Sequence, residues 1–137
     1  MGIERALVVG LEDVTFTTAD PLPACKNDAL VIYELLKKRG FYCKALITKQ
    51  ATRKNIFDVL NVAAKNSRAG DMFVFYFSGH GGSITDDDGD ETDDQDETLC
   101  AYDGHIVDDK LNKCWPKFRR GVRILMISDS CHSETVY

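Results

Sequence analysis

A chain of 137 residues, 44% of them hydrophobic, suits one globular domain with a modest core. Its formal charge is −5, but nine acids and no base lie between Asp86 and Glu97, so the remainder carries a net +4. The best basic cluster, Lys117 to Arg120, is too short for a nucleic-acid surface, and with no long apolar run and no basic-then-apolar leader, neither membrane insertion nor export is expected.

The elements alternate. Arg5 to Leu11 is a short β-branched run that gives way to a polar, proline-containing stretch, and so predicts a buried strand and a loop. From Cys25 to Arg39 apolar residues recur at helical spacing, at Ala29, Ile32/Tyr33 and Leu35/Leu36. Basic residues close that helix, and Gly40 stands where it should stop. Phe41 to Ile47 predicts a second strand. Thr52 caps a second helix with an apolar face of Ile56, Val59/Leu60 and Ala63, reaching about Ser67. Ala69 to Asp71 turns the chain into a third strand, Met72 to Ser78.

Gly79 to Pro116 is expected to be mostly irregular, with a short extended piece around Leu99 to Ala101 and a short helix around Asp109 to Trp115. Val122 to Asp129 is a fourth apolar strand. Strands alternating with helices imply an α/β domain, a mainly parallel sheet flanked by helices on both faces.

Functional groups in such sheets collect beyond the carboxyl ends of the strands. His80, in Tyr76–Gly82 (YFSGHGG), falls just past the third strand, and Cys131, in Ser128–Glu134 (SDSCHSE), just past the fourth. An imidazole beside a thiol can take its proton, leaving a thiolate to attack an amide carbonyl, and can then protonate the departing amine. Backbone N–H groups at Gly81 and at the nucleophile can hold the resulting oxyanion. Three other readings stay open at this level. His80 and Cys131 can be an ordinary structural histidine and an inert buried thiol, or Cys131, His132 and His80 can be zinc ligands, although their spacing matches no zinc module. An amidase acting on small molecules would use the same pair. The five cysteines, Cys25, Cys43, Cys100, Cys114 and Cys131, are odd in number and form no C-x-x-C pair, which points to a reducing, cytoplasmic compartment.

Taken together, YFSGHGG and DSCHSE resemble the two catalytic signatures of caspase-like cysteine peptidases of the metacaspase and orthocaspase branch. Ala24–Ala29 (ACKNDA), Asp96–Asp103 (DETLCAYD) and Ile106–Leu111 (IVDDKL) match further segments of that branch in the same order. The resemblance implies a caspase-like fold and a cysteine endopeptidase in which Cys131 is the nucleophile, His80 the acid–base group and Gly81 an oxyanion donor. It puts Cys25, Asp28, Ser78 and Asp129 around the specificity pocket, whose two carboxylates suit peptide and protein substrates with Arg or Lys before the scissile bond. It also implies an activating calcium ion on Asp96, Asp108 and Asp109, with calcium-independent members known in the branch. The family fold has six core strands and only four are legible here, so residues 1–137 are expected to form the large-subunit portion of the catalytic domain, with the small-subunit portion outside this chain. A catalytically silent scaffold or interaction module is the rival class.

Overall fold

The computed structural model describes residues 2–85 and 95–132; Met1, residues 86–94 and residues 133–137 lie outside the described residues. The sheet is built from β1 (Glu4–Gly10), β2 (Tyr42–Ile47), β3 (Met72–Thr85), β4 (Gln95–Ala101), β5 (Gly104–Val107) and β6 (Arg123–His132). Parallel pairing runs β2-β1-β3-β6, and β4 joins the far end of β3 antiparallel, carrying β5 as a hairpin partner. The helices are α1 (Pro23–Lys38), α2 (Arg53–Asn66) and the short α3 (Asp108–Asn112).

Local chemistry sets the helix ends. Pro23 opens α1 at a position where its missing N–H costs nothing, two residues earlier than the apolar periodicity begins. Gly40, at φ 92°, takes the left-handed conformation that ends the helix. Thr52 caps α2 as expected, its hydroxyl accepting from the Asn55 N–H at 3.2 Å.

The two faces of β3 bury different things. Phe73, Phe75 and Phe77 point into the larger core with α2, Leu111 and Phe118, each burial contributing about 1.5–3 kcal/mol. Val8 and Tyr76 face α1 instead, packing with Ala29.

The expectation of four strands with an irregular stretch after Ser78 is corrected. β3 continues to Thr85 because its glycine-rich tail acquires two partners, β4 from Gly81 to Thr85 and β6 as far as Gly81. His80 and Cys131 therefore lie inside strands rather than beyond them. The short helix expected at Asp109 to Trp115 is divided into α3 and a separate 3-10 turn at Trp115–Lys117.

Asp71 locks the opposite end of the sheet. Its carboxylate accepts from the Ile3 N–H at 2.8 Å and the Arg68 N–H at 2.9 Å, and pairs with Arg5 at 2.9 Å. The two backbone N–H groups, with Arg5 adding to them, hold its pKa down at about 2. A carboxyl depressed from 3.8 stabilises the fold fully above that pH and loses the contribution as pH falls toward 2. Asp71→Ala should lower the thermal midpoint at neutral pH and flatten the acid limb between those values. Urea melts taken across that range check it; an unchanged acid limb would assign acid sensitivity elsewhere.

Candidate active site

Residue rows across the sheet assemble the site. β1, β3 and β6 are in register at Gly10, Ser78 and Asp129, and the next position on the same face pairs His80 with Cys131. This face is the one covered by α1. A Cβ on Gly10 would stand 2.4 Å from the Ala29 Cβ and 3.1 Å from the Cys25 carbonyl, so glycine is what lets the first turns of α1 lie directly over the strand end. Cys25 and Asp28, three apart on that helix, are thereby brought over the row holding Ser78 and Asp129. Cys25 and Ser78 are buried, while Asp28 and Asp129 are exposed.

His80 is buried and oriented by a partner that no side-chain pattern predicts. Its Nε2 lies 3.0 Å from the backbone carbonyl of Asp20, in the loop between β1 and α1. A carbonyl only accepts, so Nε2 carries the proton of the neutral ring, and Nδ1 is left as the basic nitrogen. Nδ1 is buried and has no hydrogen-bond partner among the described residues; the same holds for Ser78 Oγ. The side chains of Cys131 and His132 lie outside the described residues, and their spacing with His80 matches no zinc module.

Three other thiols are poor nucleophiles. Burial pushes Cys100 up to about 11, and burial likewise raises Cys43 and Cys114, against the weaker opposing influence of nearby lysines. Among the described residues Cys25, Cys43, Cys100 and Cys114 form no disulfide.

Gly81 stands where three strands meet, in register with Leu99 on β4 and His132 on β6. That position sets a condition on the oxyanion role: its N–H serves a substrate only when the ladder does not take it.

The acidic positions cluster loosely. Burial first, then the charges of Glu97, Asp109 and Asp96, raise the Asp108 carboxyl, so these carboxylates repel one another. Their oxygen chemistry suits calcium. Among the described residues, however, no three His, Cys, Asp or Glu side chains are gathered into a ready metal site. The acid-rich run preceding Gln95 lies outside the described residues. Glu97 was not singled out in the sequence, although it neighbours Asp96 in the same acidic run.

A groove of about 310 Å³ opens at the other end of the sheet, between β2 and α2, beside Arg5, Tyr42, Cys43 and Val62. It contains none of the expected site residues. No helix among the described residues is long and apolar enough to cross a membrane.

A mixed, mainly parallel sheet flanked by helices, with His80 and Cys131 at paired positions on two adjoining strands, is consistent with the caspase-like fold. The crystal structure of protein GSU0716 from Geobacter sulfurreducens superposes with a TM-score of 0.89 at 42% identity, covering 97% of this chain and 52% of that one. The profile of the metacaspase, peptidase C14 domain matches residues 4–137. Metacaspase-2 of Arabidopsis thaliana is 37% identical over 150 aligned positions, covering 98% of this chain and 35% of its own length. Metacaspase-1 of Schizosaccharomyces pombe is 33% identical over 147, covering 96% and 34%. The chain belongs to the metacaspase family of C14 peptidases, and it spans about a third of the length of these curated relatives.

Proposed function

We propose that the protein bearing this chain is a cysteine endopeptidase that cleaves after Arg or Lys by a Cys131–His80 dyad. The observation that carries the reading is His80 itself: its Nε2 is tied to the Asp20 carbonyl, and its Nδ1 is buried with no partner among the described residues, beside the strand position paired with Cys131. The thiol proton passes to Nδ1, and the thiolate sulfur attacks the scissile carbonyl carbon. Backbone N–H groups of Gly81 and Cys131 hold the oxyanion. The imidazolium returns its proton to the leaving amine as the C–N bond breaks, leaving a thioester. Nδ1 then takes a proton from water, which hydrolyses the thioester and restores the thiol.

Asp28 and Asp129 supply the negative charge that selects a basic side chain, with Cys25 and Ser78 lining the same pocket. Fluorogenic peptides differing only in the residue before the scissile bond test this. Arg and Lys peptides should be turned over and Asp peptides left intact; preferential cleavage after Asp would overturn the pocket assignment. A scaffold without activity would cleave none of them.

A small-subunit portion is the fitting partner for β6. Among the described residues this strand pairs with β3 alone, and Leu125 and Ile127 on its α1 side remain 46% and 40% exposed. A long apolar edge strand is an aggregation hazard unless covered. A reducing, cytoplasmic setting is proposed from the odd number of cysteines, with no C-x-x-C pair, in a chain able to build its own core.

Calcium is proposed as the activating ion. Asp96, Asp108 and Asp109 carry the right donors for a hard cation, which would relieve the repulsion around Asp108 and draw together carboxylates that do not by themselves form a closed site. Asp108→Ala with Asp109→Ala should remove calcium stimulation and leave the chelator-treated rate unchanged. Rates in excess chelator and then in millimolar calcium decide the point: equal rates in wild type would assign this protein to the calcium-independent members.

A further inference from the structure

Below the Ser78–Asp129 row, on the same face of the sheet, stands Tyr76. It is in register with Val8 on β1 and Ile127 on β6, two positions before Ser78. The side chain is 5% exposed and packs against Val8 and Ala29, so the ring is wedged under α1 immediately behind Cys25 and Asp28. The groups that act on its phenol, after burial, are the Ser78 hydroxyl and then Asp129, Asp28 and Cys25. Register and packing thus set Tyr76 one step behind the residues expected to form the basic-side-chain pocket, close enough for their charges to act on its phenol. Ser78 Oγ, only 1% exposed, makes no well-formed hydrogen bond among the described residues beyond its influence on that phenol, which leaves it open to an incoming group.

We infer that Tyr76 is the floor of the substrate pocket and that its phenolic oxygen accepts a hydrogen bond from the guanidinium of a substrate arginine, setting a preference for Arg over Lys. The inference rests on the pocket reading given above. Burial and the two carboxylates keep the phenol neutral at working pH, so it presents a lone pair without adding a third negative charge. Asp28 and Asp129 can pair with the edges of a planar guanidinium from the pocket wall and the neighbouring strand. The far edge of that fork still carries N–H donors, and these meet the floor. A lysine ammonium ends one bond sooner and does not reach it. An arginine facing a floor without the oxygen would keep a buried donor unsatisfied, whereas a lysine would lose little.

Tyr76→Phe isolates the oxygen, because the ring and its packing on Val8 and Ala29 are retained. In the complete peptidase, kcat/KM for a peptide with Arg before the scissile bond should fall about tenfold or more. The matched Lys peptide should change by less than about threefold, so the Arg/Lys ratio drops. Equal losses on both peptides, or none on either, would overturn the inference and reduce Tyr76 to a core residue. If wild type shows no preference for basic peptides at all, the pocket reading falls and this one with it. Retention of that preference with an unmoved Arg/Lys ratio rejects the Tyr76 role alone.

Discussion

Cys131→Ala should abolish peptide turnover. The substitution removes the sulfur proposed to form the thioester, and the thiols of Cys43, Cys100 and Cys114 are raised by burial and stand elsewhere in the fold. His80→Ala should lower kcat by roughly 10²–10⁴-fold, the range attributed to a positioned acid–base group. It removes both the acceptor for the thiol proton and the donor for the leaving amine. The Asp20 contact gives the assay a second arm: moving that carbonyl frees Nε2 and lets the ring change tautomer or turn, so shortening the loop between β1 and α1 should depress kcat with KM little changed. Single-turnover assays of the complete peptidase, with titration of the active thiol by an alkylating peptide, measure each step. Full activity of the Cys131→Ala protein would return Cys131 to the role of a small buried hydrophobe.

Removing either pocket carboxylate should be nearly as severe on basic substrates. Asp28 approaches from α1 and Asp129 from β6, so a cation between them is held from two elements. Both carboxylates are exposed in the free chain and lose water only against a bound cationic side chain; truncating one partner of a charge pair desolvated in this way costs about 2–5 kcal/mol, or about thirtyfold and upward in kcat/KM. Asp28→Ala and Asp129→Ala should each show such a loss on Arg and Lys peptides. The double variant should fall by less than the product of the two, because both act on the same cation. Kinetics on matched Arg and neutral peptides decide this: a loss shared by the neutral peptide would mean that the substitutions disturb the fold near the strand ends rather than the pocket.

Much of the framework follows from local patterning. Periodicity of 3.6 marked α1 and α2, Thr52 and Gly40 punctuated them, and apolar runs marked β1, β2, β3 and β6; burial on both faces explains the runs of β1 and the first part of β3, whereas β2 and β6 keep residues such as Tyr42, Leu125 and Ile127 exposed. The signatures around His80 and Cys131 were legible because motif residues carry their own chemistry, and their order along the chain identified the family.

Tertiary structure decided the rest. The tail of β3 reads as loop, since glycine and serine have no strand preference of their own, and it becomes a strand only because β4 and β6 supply hydrogen-bond partners on either side. Of the β4–β5 hairpin only the extended piece around Leu99 to Ala101 was legible; β5 is four residues long, and no local periodicity announced the pairing. Asp20 acts through its carbonyl, a group every residue possesses, so nothing in its side chain signalled it. Tyr76 looked like one more apolar position in a buried strand. Only the registers of β1, β3 and β6, fixed by packing under α1 at Gly10, put Tyr76 on the same face as Ser78 and Asp129, one step behind them, and set His80 opposite Cys131, 51 residues later in the chain. Pairing between strands that distant in sequence is a property of the closed sheet, settled by which faces can be buried together and not by any local run of residues.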